Sequence, residues 1–214
     1  MAKRLTAEGF VDALDADIGW RRVELAAVRT ALNRATGPAT YTAARAAVAL
    51  AYAHWEGYVL GAGRLLVKYV ADRRLKYAEL ADPYVALCVA GRLQSAESSA
   101  RRIERHIDVV LTLRRADSQA AFPAPERVIQ AEGNLKSDKF ADIARRLGID
   151  AATFELQYKW IDGELLRQRN DIAHGSSSLT DIEFADEAVE RVGRLIDDFR
   201  TAAQNAVVAE AYRR

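Results

Sequence analysis

The sequence has little cysteine and proline, and its charges almost cancel. Its 214 residues include a single cysteine, Cys88, so no disulfide can form within the chain and a reducing cytoplasm is the expected setting. The 31 basic and 30 acidic side chains argue against a broad surface that coats nucleic acid, but they leave room for a small local basic site. With only four prolines, long helices meet few interruptions.

Membrane segments, metal sites and cofactor motifs are also missing from the sequence. The longest apolar run, residues 46–53, is far too short to span a bilayer, and residues 1–4 precede acidic residues rather than the apolar core of a signal peptide. Three scattered histidines and one cysteine offer no zinc-ligand spacing, and no glycine-rich phosphate loop is present. We therefore expect no membrane segment, no metal and no cofactor.

The apolar residues recur at helical spacing along most of the chain. The clearest case is a seam in which apolar positions step alternately by four and three, as in the core of a helical bundle. This seam comprises Val48, Tyr52, Trp55, Val59, Ala62, Leu66 and Tyr69. No strand pattern and no internal repeat is visible, so the sequence predicts one all-α domain, residues 1–214, built as a bundle of about five to seven helices. Residues 116–136 are predicted to form a long loop.

Two further patterns predict how helices pack. A charged helix is expected from about Ser95 to Arg115, with three apolar residues facing inward: Ile103, Ile107 and Val110. Small residues four positions apart on the second helix would let another helix approach closely: Ala53, Gly57 and Gly61.

The stretch from Leu166 to Gly175 contains an arginine and a histidine five positions apart, Arg169 and His174. Arginine binds phosphate and histidine transfers protons near neutral pH, so together they are a minimal set for cutting a phosphodiester without a metal. The spacing alone is weak, because residues 101–106 also match it on a predicted solvated helix. The alternative for this stretch is structural, with Arg169 paired to a carboxylate such as Glu164 and His174 capping a helix end.

Three segments carry a resemblance to a known family. They are Arg-Asn-Asp-Ile-Ala-His-Gly at residues 169–175, Tyr-Ala-His-Trp-Glu-Gly-Tyr at residues 52–58, and Asn-Leu-Lys-Ser-Asp-Lys-Phe at residues 134–140. In these segments the chain resembles the HEPN superfamily, and in particular its MAE-like and RiboL-PSP branches. The resemblance extends from about residue 40 to residue 200.

This resemblance implies an α-helical domain that dimerises and often acts as a metal-independent endoribonuclease, in many members as a toxin or an antiviral effector. It implies that Arg169 and His174 are the catalytic pair, that Asn170 is the polar residue after the arginine, and that Glu56 is an auxiliary polar group of the cleft. The alternative for Glu56 is a surface or interhelical hydrogen bond. Members silenced by a partner nucleotidyltransferase have a tyrosine two positions after the histidine. Here that residue is Ser176, so the resemblance does not extend to adenylylation of a tyrosine at this position.

The chemistry of RNA cleavage can also be argued from the residues themselves. Attack by the 2′-hydroxyl needs a base, an acid for the departing 5′-oxygen, and positive charge on the phosphate. One chain offers one arginine and one histidine at this site, and five helical positions separate them by about 140° around the axis. A two-fold dimer would supply two of each. Asn170 would orient His174 or the phosphate. Asp171, three positions before His174, would either adjust the pKa of His174 or be a solvated charge.

The sequence therefore predicts a cytoplasmic, homodimeric endoribonuclease that acts on RNA without a metal, as a toxin or defence effector with an antitoxin or defence partner. The alternative is a non-catalytic HEPN module that binds a nucleotide or a protein. A structural helical subunit, docked through its glycine-rich helix, is the third interpretation.

Overall fold

The structure is a computed structural model that describes residues 4–98, 102–131, 133–176 and 180–214. Within these ranges the chain is helical, with two isolated β-bridges and no β-sheet, so the predicted all-α fold is confirmed. The helices are α1 Ala7–Arg34, α2 Pro38–Asp72, α3 Asp82–Ser98, α4 Arg102–Arg114, α5 Pro125–Val128, α6 Ser137–Arg146, α7 Glu155–Trp160, α8 Arg167–Ala173 and α9 Ile182–Val208. A π-helical segment, Ile161–Leu166, joins α7 to α8 without a break, and short 3₁₀ turns lie at Tyr77–Glu79 and Ala151–Phe154.

Helix α2 lies at the centre, packed against α1 and α9. It begins sharply because Gly37 has a positive φ of 58°, which glycine adopts readily, and Pro38 then supplies the backbone angle of a first helical turn. All seven residues of the predicted seam are buried, so this part of the core is confirmed.

An aromatic cluster fixes α6 against this centre. The ring of Phe140 lies 5.1 Å from Trp55 of α2, 4.9 Å from Phe154 and 5.6 Å from Phe199 of α9, measured between ring centroids. All four rings are buried, and such contacts add to the stabilisation that burial itself supplies. The start of α6 and the loop before it are therefore held in a defined place.

The loop predicted at residues 116–136 contains the one-turn helix α5, and side chains from neighbouring helices hold its backbone. Arg64 of α2 donates from Nε to the carbonyl of Ile129 at 3.1 Å, and Arg146 of α6 donates to the carbonyl of Val128 at 2.9 Å. Ile129 and Leu135 are fully buried. This anchoring brings the end of the loop against α2.

The predicted inward face of α4 is wrong. Ile103, Ile107 and Val110 are 69%, 49% and 46% exposed. The helix begins at Arg102, not near Ser95, which belongs to α3. α4 packs on α3 and buries Val109 instead. Helical periodicity located an apolar stripe, but it does not specify whether another element covers that stripe.

The small-residue row on α2 receives α1 of the same chain. A β-carbon added to Gly57 would lie 3.1 Å from Nη1 of Arg21, and one added to Gly61 would lie 3.7 Å from the carboxylate of Asp17. Ala53, the third member of the row, is exposed. The glycines thus make room for a charged side chain, not for the backbone of a docking partner.

Arg21 and His54 form a buried polar contact between α1 and α2. Nη1 of Arg21 lies 3.4 Å from Nδ1 of His54 and donates to the His54 carbonyl at 3.3 Å, while Nε donates to Asp17 at 3.2 Å. Nε2 of His54 lies 2.9 Å from Glu24, without regular hydrogen-bond geometry. Burial lowers the pKa of His54 from 6.5, opposed by Glu24 and assisted by Arg21.

This environment predicts a pH-dependent stability. Because the pKa of His54 is lower in the fold than in the unfolded chain, the unfolded chain takes up the proton first as the pH falls. The contribution of His54 to the free energy of unfolding should be complete above about pH 6.5. Below that pH it should decline by at most about 1.4 kcal/mol per pH unit. The free energy of unfolding, measured with urea at pH 7.5 and at pH 5.5, should therefore differ less between the two pH values for His54→Gln than for the wild type.

The control is His106→Gln, because His106 is exposed on α4. A His54→Gln protein whose free energy of unfolding changes with pH as steeply as that of the wild type and His106→Gln would contradict the assignment.

Candidate active site

The arginine–histidine stretch lies at the end of the continuous helical run over residues 155–173. Buried residues of the π-helical segment, Ile161, Leu165 and Leu166, fix this run in the core. A π turn contains more residues than an α turn, so it changes the direction in which the following side chains point. α8 follows at once and packs against α2.

Arg169 is held by neutral groups. Its Nη1 donates to Oδ1 of Asn134 at 2.6 Å and to Oδ1 of Asn170 at 3.0 Å, and its Cζ lies 4.9 Å from the centroid of the Tyr52 ring. Among the described residues no carboxylate forms an ion pair with it, so the alternative pairing with Glu164 does not occur. The guanidinium is oriented while its charge is left uncompensated.

Asn134 and Asn170 complete this arrangement. Nδ2 of Asn134 donates to Oδ1 of Asn170 at 3.1 Å, so the two amides and the guanidinium bond one another in a closed triangle. All three side chains are partly buried. The side-chain oxygen of Asn170 therefore serves Arg169, whereas its backbone carbonyl accepts from the backbone N–H of His174 at 2.9 Å.

Tyr52 and Glu56 of α2 hold the residue next to Asn134. The N–H of Leu135 donates to Oη of Tyr52 at 2.6 Å and to Oε2 of Glu56 at 3.0 Å, and Oη of Tyr52 in turn donates to Oε2 of Glu56 at 2.6 Å. Burial first, and then the hydrogen bond with Glu56, raises the pKa of Tyr52, so its hydroxyl stays protonated and donates. Glu56 thus supports the loop that carries Asn134.

His174 occupies the capping position at the C-terminus of α8, and it is exposed. Its imidazole makes no hydrogen bond with any other described residue, and Asp171 forms no ion pair with it within those residues. Gly175 follows with φ of 72°, which lets the chain turn away from the helix. Ser176 follows as the last described residue of this segment, and Ser177 and Ser178 lie outside the described residues.

The structure thus brings Arg169, Asn170 and Glu56 into one hydrogen-bonded network, and it leaves the side chains of His174 and Asp171 outside that network. Sequence reasoning missed two members, Tyr52 and Asn134. Tyr52 belongs to the predicted core seam, and Asn134 contacts residues that are 35 and 36 positions away in the sequence. Both lie within segments that carry the family resemblance, which was the available signal.

The chain's other arginine–histidine combinations differ from this one. Arg105 and His106 are exposed on α4, while Arg101 and the side chain of Arg102 lie outside the described residues. Arg21 and His54 are in contact but buried, with Arg21 bonded to Asp17. Arg169 and His174 combine two properties within the described residues. The imidazole is exposed, and the guanidinium is held in place without a carboxylate partner.

Two general features follow from the described residues. They contain no group of three or more histidine, cysteine or acidic side chains that could hold a metal ion. None of their helices has both the length and the apolar character that crossing a bilayer requires.

The family model described as RiboL-PSP-HEPN matches residues 16–205 of the chain. The matched range includes α2, the loop with Asn134, α8 and nearly all of α9, and therefore every residue of the network described above. No curated protein and no solved structure matches the chain.

The shared N–H of Leu135 gives a test of the network. Tyr52→Phe and Glu56→Ala each leave one acceptor for this buried group, whereas the double variant leaves none. The amide hydrogen of Leu135 should therefore stay protected from exchange with solvent in each single variant and exchange about tenfold or more faster in the double variant. Hydrogen exchange of the four proteins measures this, and an amide that stays equally protected in the double variant would show that these two side chains do not hold the N–H.

Proposed function

The chain belongs to the RiboL-PSP-HEPN family, and on that premise we propose that it is an endoribonuclease that cleaves RNA without a metal ion. The observation that carries this proposal is the state of Arg169, which is oriented by two amide oxygens and a tyrosine ring with no carboxylate partner among the described residues. Such a guanidinium is prepared to receive an anion. An exposed histidine lies five residues further along, at the end of the same helix.

In the proposed reaction the 2′-oxygen of RNA attacks the neighbouring phosphorus, and the bond from phosphorus to the 5′-oxygen breaks. The products are a 2′,3′-cyclic phosphate and a free 5′-hydroxyl. Arg169 stabilises the charge that develops on the phosphate oxygens, and His174 transfers a proton to or from the reacting oxygens. Asn170 and Glu56 support Arg169, the first directly and the second through Tyr52 and Leu135.

One imidazole cannot be base and acid in a single concerted step, so the proposal includes a homodimer. A two-fold axis beside α8 brings two arginines and two histidines around one phosphate. The exposure of His174 supports this arrangement, since its side chain is open to contacts from outside its own chain.

The biological setting belongs to the same proposal. We place the protein in the cytoplasm as a toxin or antiviral effector, restrained by an antitoxin or a defence partner. Because Ser176 stands two positions after His174, restraint by adenylylation of a tyrosine at that position is not part of the proposal.

A second candidate function is a non-catalytic HEPN module that binds a nucleotide or a protein partner. It is favoured by one observation, namely that no described residue orients the His174 imidazole by a hydrogen bond, although a general base usually has such a partner. In this case Arg169 would bind an anion without any reaction.

The first test is cleavage of labelled single-stranded RNA by purified protein in excess chelator. Arg169→Ala and His174→Ala should each lower the rate by about 100-fold or more, since each removes a group that acts in the transition state. Matched controls are Arg167→Ala, an exposed arginine of the same helix, and His106→Ala on α4, which should retain the wild-type rate. Cleavage that requires magnesium and leaves a 5′-phosphate would contradict the mechanism, and saturable nucleotide binding without cleavage would favour the module.

The second test concerns the dimer. Refolding wild-type chains with an excess of His174→Ala chains should lower the cleavage rate well below that of the same amount of wild-type protein refolded alone, because a mixed dimer keeps only one of the two histidines that the concerted step needs. The measurement is the cleavage rate as a function of the ratio of variant to wild-type chains. A rate that does not depend on the added His174→Ala chains would indicate that each chain cleaves on its own.

A further inference from the structure

A second arginine, Arg45 of α2, contacts the turn that carries His174. Its Nη1 donates to the carbonyl of Ser176 at 2.8 Å and to Oη of Tyr41 at 3.0 Å, and its Cζ lies 5.2 Å from the centroid of the Tyr41 ring. The contact spans 131 positions of sequence, so it joins two parts of the fold that the chain itself does not hold together.

The Ser176 carbonyl is closely connected to His174. The N–H of Gly175 donates to the carbonyl of Ile172 at 3.1 Å, and the N–H of Ser176 donates to that of Asp171 at 2.9 Å. These two bonds, with Gly175 left-handed, form a Schellman cap that joins residues 174–176 into one rigid turn. A group that holds Ser176 therefore also holds the backbone of His174.

The backbone is what sets the position of His174. Its imidazole is exposed and has no hydrogen bond to another described residue, so the direction of the ring depends on where the turn lies. Helix ends fray, so the position of the turn after α8 depends on contacts with other elements. Among the described side chains of other elements, Arg45 alone bonds to this turn.

We propose that Arg45 is a positioning residue for His174, with Tyr41 holding its guanidinium in place. The inference rests on the proposed function for its catalytic consequence, though not for its structural one. Arg45 and Tyr52 are seven positions apart, two helical turns, and so lie on one face of α2 about 10 Å apart along the axis. By this assignment one face of one helix holds both reacting groups, Arg169 through Tyr52 and His174 through Arg45.

Arg45→Ala should lower kcat for RNA cleavage by about tenfold or more while KM changes less than twofold, since it misplaces a proton-transfer group without removing a phosphate ligand. Arg45→Lys should recover part of the rate, because an ammonium can still donate to the Ser176 carbonyl. The matched control is Arg22→Ala, which breaks another contact between helices, 2.7 Å from Arg22 to Asp197, with no link to the turn.

A second measurement does not depend on activity. In proton NMR spectra the Cε1–H signal of His174 is identified by its loss in His174→Ala. This signal should shift or broaden in Arg45→Ala and stay unchanged in Arg22→Ala. Gly175→Ala, which strains the left-handed residue of the same turn, should reproduce the change. This measurement tests the positioning even if the wild type cleaves no RNA, so failure of the proposed function is distinguishable from failure of the inference.

Two results would overturn the proposal. An unchanged His174 signal in folded Arg45→Ala protein would show that Arg45 does not hold the turn. A rise in KM at constant kcat would show that Arg45 binds RNA directly instead of acting through His174.

Discussion

One buried helix sets the positions of all parts of the candidate site. α2 spans 35 residues and is buried at regular intervals from Ala44 to Val70, so it cannot shift without disturbing the whole core. Four of its side chains contact the site from one side: Tyr41, Arg45, Tyr52 and Glu56. Because a helix rises by a fixed step, the distance between the turn at Ser176 and the network at Leu135 is fixed by α2 itself.

The same helix contacts two arginines whose guanidinium groups have different partners. Arg21 is buried, and its Nε bonds to Asp17 at 3.2 Å, so its charge is compensated where it lies. Arg169 receives only amide oxygens and a tyrosine ring, and the nearby carboxylate of Glu56 is bonded to Tyr52 and to the Leu135 N–H. The first arginine is suited to holding helices together, and the second is suited to meeting an anion.

The sequence predicted the centre of the fold better than the parts around the site. The four-three spacing along α2 identified its buried seam, because a helix that buries one continuous stripe repeats its apolar residues at that period. The same reasoning failed for Ile107, since an apolar stripe does not reveal whether anything covers it. Asn134 and Arg45 were missed for another reason. Their contacts cross 35 and 131 positions, and no local pattern encodes a pairing between a loop or helix face and a distant turn.

The three histidines of the chain illustrate what the site still requires. His54 is buried and lies against Arg21 and Glu24, so its surroundings come entirely from its own chain. His106 faces outward on α4. His174 combines a backbone fixed by a Schellman cap with an imidazole that no described residue bonds. Under the proposed function, its backbone is therefore positioned from inside the fold through α2, and its ring is oriented from outside, by the RNA phosphate or by a second protomer.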